Sequence, residues 1–275
     1  MLEYFSIFGG LYGVLDIDYF DDFFKVIETH FVHTFEMYEN LVSPSYIIDT
    51  PYRELLMAIA QGDGKFYKAF RKAKLSDRVG EMLVKDLLDK GVLRMEYSRE
   101  SPLRRHSKHK LKKEHRAYVI QDKLRFNKPF LRFWFAFVSP YQRLLREGKK
   151  EAFMENFRQH YERLRSLVFE ELCNALLLES SKEKIFSSGS YWNIHSEFDV
   201  LAITEKKKII LGECKYKERK VCKNELTKLE YKAMASNIPV ETYVLFSKSG
   251  FSKELLASSS KNLRLFDLAS LSILL

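Results

Sequence analysis

Residues 196–217 read SEFDVLAITEKKKIILGECKYK. Two stretches rich in strand-forming residues flank the charged turn Glu205-Lys206-Lys207-Lys208, which is the pattern of a β-hairpin. Side chains alternate between faces along a strand. Glu213 and Lys215 therefore share a face with Ile209 and Leu211, and Glu197 and Asp199 share one on the preceding strand. Pairing of the strands brings carboxylates from two neighbours together beside one lysine. Such a set suits phosphodiester hydrolysis. Carboxylate oxygens suit a hard divalent cation, Mg²⁺ or Mn²⁺, that keeps several waters and takes a phosphate as a further ligand. A cation of this kind lowers the pKa of a bound water and neutralises phosphate charge. The lysine is a compact cation fit to orient a nucleophile or stabilise the transition state. The plainer alternative is a surface hairpin with solvated acids and a cross-strand ion pair, because a D…ExK string is short.

The flanking sequence builds a domain around this hairpin. Residues 161–179 (YERLRSLVFEELCNALLLE) place Leu164, Leu167, Val168, Leu172, Ala175 and Leu176 at helical spacing. Residues 185–192 form a short strand broken by Gly189. Downstream, 224–237 reads as a helix, and 240–247 and 263–268 read as strands. The fold class is thus α/β with a mixed sheet. This order of helix, three strands, helix and strand resembles the core of the PD-(D/E)xK nucleases. The resemblance implies that Asp199 and Glu213 are metal ligands, that Lys215 is the catalytic cation, and that Glu170, in Phe169-Glu170-Glu171-Leu172, is the helix glutamate acting as auxiliary ligand or base. Glu197 would be an acid behind them. The family's common Pro-Asp pair is replaced by Phe198-Asp199.

A wider resemblance rests on strings occurring in order: YFSIFGG at 4–10, YRELLMAIAQG at 52–62, YVIQDKLRF at 118–126, FWFAFVSP at 133–140, and GECKY at 212–216, with Gly189 and Trp192 ahead of EFD. Together they are similar to the C-terminal half of archaeal-type AAA ATPases, which carry a winged helix and a nuclease-like domain of unknown function. No GxxxxGK[ST] string occurs in this chain. The resemblance therefore implies a truncated or split relative with no nucleotide cofactor, and a role as partner or regulator of a separate ATPase is a third reading, compatible with either a nuclease or a non-catalytic adaptor.

The N-terminal half divides by pattern into a helical segment 1–50, a winged-helix domain 51–141 and a helical linker 142–160, ahead of the nuclease-like domain 161–275. Residues 52–61, 65–74 and 76–90 read as three helices, Ser76 capping the third and Gly91 ending it. Residues 92–97 read as a strand with 117–120 as its partner. Val79, Leu83, Leu87 and Leu88 form the apolar stripe of the third helix, leaving Arg78 and Lys85 outside it for DNA contact. Between the strands, residues 99–116 (RESPLRRHSKHKLKKEHR) carry eight Lys or Arg against two Glu. This run is the expected arm for phosphate contacts through Arg104, Arg105, Lys108, Lys110, Lys112 and Lys113. It cannot form a core, and the alternative is a solvated insertion. Residues 130–141, dense in aromatics, read as a buried connector between domains.

The formal net charge of +9 favours an anionic partner, nucleic acid before membrane, with DNA the expected form. Cys173, Cys214 and Cys222 make neither a disulfide framework nor a metal-ligand spacing, which fits a reducing, cytoplasmic setting. Cys173 is expected in the core, and Cys214 on the strand face opposite the acids. His30 and His33 are expected as ordinary helix residues rather than a metal pair. No apolar run is long enough to span a bilayer. The apolar end, LASLSILL, is expected to dock as a terminal helix or to serve as a partner or homo-oligomer surface. The function expected is a metal-dependent nuclease. The alternative is a non-catalytic nucleic-acid-binding or protein adaptor that keeps the nuclease fold.

Overall fold

Many of the aromatic residues of the first half of the chain go into one core. The computed structural model describes residues 2–11, 17, 20–99, 110, 120–193, 196–258 and 262–274. The chain forms two units, one of residues 1–96 with 121–165 and the other of 97–120 with 166–275. The first unit is helical: α1 (Leu2–Phe8), α2 (Phe23–Glu28), α3 (Phe35–Asn40), α4 (Tyr52–Ala60), α5 (Phe66–Lys72) and α6 (Asp77–Asp89) precede a two-stranded antiparallel sheet, β1 (Leu93–Glu96) and β2 (Lys123–Phe126). Then come α7 (Pro129–Phe133), α8 (Gln142–Arg146) and the start of α9 (Glu151–Ser180). Phe31, Phe35, Tyr38, Phe130, Phe133 and Trp134 are buried in a single cluster that also takes in Phe153 and Phe157. The aromatic stretch after residue 130 is thus the core of this unit rather than a connector.

Further sequence expectations change here. The partner of the first strand is 123–126; of the expected partner 117–120, residues 117–119 lie outside the described residues. Leu124 and Phe126 face Met95 and Leu93 in register, so the apolar pairs share one side. The stripe of α6 is Gly80, Leu83, Val84 and Leu87, with Val79 exposed. Gly80 lets the helix approach Phe70, whose ring would lie 2.5 Å from an added Cβ. Ser76 caps this helix as expected, accepting the Val79 N–H at 3.4 Å. The proposed linker is part of one continuous helix to Ser180, because no glycine or proline occurs from 149 to 180. His30 is half-buried, its Nδ1 2.6 Å from the Tyr38 hydroxyl.

The second unit is the α/β one. The end of α9 leads to β3 (Ile185–Trp192), β4 (Glu197–Thr204) and β5 (Ile209–Lys215), then α10 (Lys223–Ala235), β6 (Val240–Ser247), α11 (Lys253–Ala257) and β7 (Leu263–Asp267). The sheet order is β3-β4-β5-β6-β7. The first three strands pair antiparallel and the last three parallel, the parallel links passing through α10 and α11. Leu201, Leu211 and Leu245 bury one face with Leu226, Leu229 and Ala233 of α10 and Leu255 of α11. On the alternate face Cys214 and Tyr216 meet Cys173 and Phe169 of α9. The helix–strand–strand–strand–helix–strand order is the one the sequence pattern implied. The final apolar residues form a 3-10 helix, Leu268–Leu274, in which no residue is buried, rather than a docked terminal helix.

Candidate active site

The hairpin pairs Val200 with Gly212, Leu201 with Leu211, Ala202 with Ile210 and Ile203 with Ile209. One further step in that register carries Asp199 to Glu213. The ladder stops short of that step, while β5 goes on pairing with β6 as far as Lys215 and Ser247. A second irregularity lies on the other side of β4. Its register against β3 moves from Gly189↔Leu201 to Tyr191↔Phe198, so β4 holds one extra residue at Asp199–Val200. Such a bulge bends the strand and re-aims its side chains. Phe198 consequently joins Leu201 in the core beneath α10. The Asp199 carboxylate takes the place of a ladder acceptor and receives the Cys214 N–H at 2.7 Å.

Three of the expected residues meet at this opening. Lys215 Nζ donates to Glu213 Oε1 at 2.6 Å, and both side chains are mostly buried. Burial, and then the charge of Glu213, push the Asp199 carboxyl up to about 6, against the pull of the Cys214 N–H and of Lys215 and Lys232. For Lys215, burial disfavours the ammonium. The hydrogen bond to Glu213 and the charges of Glu213, Asp199 and Glu225 outweigh that effect and hold its pKa above the ordinary range. The sequence reading missed Lys232 on α10. Its Nζ lies 3.4 Å from Glu213 Oε2 and 4.9 Å from the centre of the Phe198 ring. The available signal is its spacing: Lys232 stands three residues after Leu229 and one before Ala233, at the rim of the buried face of α10.

Among the described residues, Glu170 is not grouped with Asp199 and Glu213 closely enough to hold a metal ion. Phe169 and Cys173, four apart, face the sheet, and Glu170 is turned from them by one helical step and is half-buried. Its charge acts on Cys173 and Cys214. Among the described residues no group of three or more His, Cys, Asp or Glu side chains is close enough to hold a metal ion. Asp199 and Glu213 alone fit a hard cation in the manner of Mg²⁺, which takes one or two carboxylates and completes its shell with water and phosphate. Burial first and the Glu213 charge second raise the Asp199 carboxyl, so a cation beside the two acids would be favoured. Glu197 is exposed at the start of β4.

Cys173 and Cys214 are buried against each other, and burial raises both thiols. Arg78 and Lys85 are exposed on α6, and Lys110 is exposed as well. Arg104, Arg105, Lys108, Lys112 and Lys113 lie outside the described residues. The base of the basic run is anchored on β3: Ser98 Oγ donates to the Trp192 carbonyl at 2.6 Å, and the Arg99 guanidinium to that of Ser188. Gly189, at φ +150°, leaves the room that this guanidinium fills.

Residues 134–229 match the DUF234 family, described as "Archaea bacterial proteins of unknown function". The chain is similar to that family over a stretch that contains Glu170, Asp199, Glu213, Lys215 and part of α10. No curated protein matches the chain. Among solved structures, a repair endonuclease from Pyrococcus abyssi aligns with a TM-score of 0.26 and 15% identity, over 36% of this chain and 46% of that one. The aligned part is thus less than half of that structure. Among the described residues no helix is long and apolar enough to cross a membrane.

Proposed function

We propose that the second unit is a divalent-metal-dependent nuclease of the PD-(D/E)xK type that hydrolyses DNA phosphodiester bonds. The observation that carries this reading is the meeting of Asp199, Glu213 and Lys215 where β4 releases β5. Asp199 and Glu213 would hold Mg²⁺ or Mn²⁺, which when bound supplies an activated water and neutralises phosphate charge. Asp199 is fixed by the Cys214 N–H, so its free oxygen is aimed rather than wandering. Lys215 stays protonated beside Glu213 and presents a point charge to the phosphate at which negative charge grows. Lys232 shares Glu213 and supports the same orientation. In the first unit, α4–α6 with β1 and β2 read as a winged helix, whose exposed Arg78 and Lys85 would contact backbone phosphates along with the basic run. Any use of ATP would need a separate ATPase.

One observation favours the adaptor reading. Glu213 is engaged by two lysines, and among the described residues no group of three acids is close enough to hold a metal ion. Incubating the purified chain with plasmid and single-stranded DNA in Mg²⁺, Mn²⁺ or EDTA decides between them. Metal-dependent cleavage lost in Asp199→Ala and Glu213→Ala supports the nuclease. Cleavage that survives both changes sinks the assignment, and binding without cleavage under any metal leaves the adaptor.

A further inference from the structure

Next to Lys215 lies a cleft that hydrolysis leaves unused. Residues 216–222 join β5 to α10, and their backbone is held from outside. The Lys248 N–H donates to the Lys215 carbonyl at 3.0 Å, the Val221 N–H to the Gly250 carbonyl at 2.9 Å, and the Ser252 N–H to the Val221 carbonyl at 2.9 Å. Ser249 Oγ donates to the Lys217 carbonyl at 2.8 Å. Fixed in this way, the loop and the start of α10 enclose a cleft of about 170 Å³. Lys215, Lys217, Arg219, Lys220 and Lys228 line it, with Glu225 the one acid among the described lining residues.

The charges do not cancel. Glu225 pairs with Lys228 at 3.2 Å and Glu213 with Lys215 at 2.6 Å. Among the described residues none of Lys217, Arg219 and Lys220 is in an ion pair, and all three are exposed. Cys222, the N-cap of α10, makes no side-chain cap bond, so the positive end of a 13-residue helix opens beside the same cations. Size narrows the ligand. Pockets for drug-sized molecules run from about 300 Å³ upward. A cleft of about 170 Å³ is of a size to take one phosphate with a few waters. An arginine fork with lysine point charges is the donor set such an anion takes.

We infer that this cleft is a phosphate subsite, seating one backbone phosphate of a nucleic-acid strand beside the phosphate being hydrolysed. The word "beside" rests on the nuclease reading, because Lys215 belongs to both places. The anion chemistry of the cleft does not depend on that reading. The cleft would fix the strand's register at the acid pair and leave base identity unread.

The test measures binding of labelled single-stranded and duplex oligonucleotides to the full chain by fluorescence anisotropy, in EDTA and at several salt concentrations. The variant replaces Lys217, Arg219 and Lys220 by alanine, all exposed positions, with its fold checked by thermal melting. Loss of one charge-assisted phosphate contact should weaken binding by about tenfold and flatten the log–log salt slope by about 0.7 on single strands and 0.9 on duplex. A single neutral methylphosphonate, walked along the strand, should weaken the wild type at one position and leave the variant unchanged there. Equal affinity and slope in the two proteins would overturn the subsite, as would displacement of the oligonucleotide by micromolar inorganic phosphate. Weakened binding with no cleavage under any metal would keep the subsite and sink the nuclease. Metal-dependent cleavage with unchanged binding would do the reverse.

Discussion

Replacing Asp199 by asparagine should make the metal-free protein more stable at neutral pH. Burial and the Glu213 charge raise this carboxyl from 3.8 to about 6. The folded state therefore holds the proton more tightly than the unfolded chain does. Stability from this group is fully present below pH 3.8 and is lost as the pH rises through about 6. At about 1.36 kcal/mol per pH unit, the gap between 3.8 and about 6 amounts to at most about 3 kcal/mol. Asp199 is half-buried, and screening by water brings the expected figure down to about 1–2 kcal/mol. Asparagine keeps an oxygen to accept the Cys214 N–H and removes the charge. The gain should thus be small near pH 4 and reach its full size by pH 7.5. At about 2–4 °C per kcal/mol, the Tm should rise by several degrees. Thermal and urea melts of both proteins, followed by circular dichroism in EDTA from pH 4.5 to 8, supply the comparison. A variant less stable than wild type at pH 7.5, or a difference flat across pH, would refute the assignment of opposed charges. The proposed nuclease adds a further expectation: millimolar Mg²⁺ should stabilise the wild type and leave the variant nearly unmoved.

Lys215→Ala should lower kcat for metal-dependent plasmid cleavage by about 100-fold or more with a smaller change in metal affinity, and Glu170→Gln should cost far less, as read from initial rates over a metal titration. Gly80→Ala should destabilise the first unit by about 1–3 kcal/mol in urea melts, since the added Cβ meets the Phe70 ring; no loss would show that the ring yields. Isothermal titration with Mg-ATP should show no binding, because the chain carries no GxxxxGK[ST] loop; stoichiometric micromolar binding would overturn the expectation.

The β-hairpin of 196–217 was legible because alternation, turn charges and strand formers agree over twenty residues, and so was the helix-then-strand order on either side. Residue phase was less legible. Gly80, rather than Val79, lies on the buried face of α6, because steric need at Phe70 overrides hydrophobicity at one position. The strand that pairs with β1 was not legible, because Leu124 and Phe126 meet Met95 and Leu93 only across an intervening stretch of chain that the local pattern does not bridge. The helix glutamate shows the same limit. The string Phe169-Glu170-Glu171-Leu172 puts acids on α9, but the phase set by Phe169 and Cys173 keeps Glu170 from forming a metal-sized group with Asp199 and Glu213.

What could not be read from alternation is the device that makes the site. A regular strand would put Phe198 and Asp199 on opposite faces and continue the β4–β5 ladder through Glu213. The extra residue at Asp199–Val200 turns Phe198 into the α10 core, where its ring lies under Lys232, and it ends the ladder one pair early. These two effects depend on each other. Unless the ladder ended there, no opening would exist between Asp199 and Glu213 for a ligand. Burial of Phe198, together with the β3 pairing on either side, holds the bulge in place as the strand bends. Phe198 is thus an anchor for the geometry. Phe198→Ala removes a fully buried ring, and a change of this kind costs about 3–5 kcal/mol. Part of that loss is expected to fall on the pairing of Asp199 with the Cys214 N–H, so Phe198 supports that pairing from beneath.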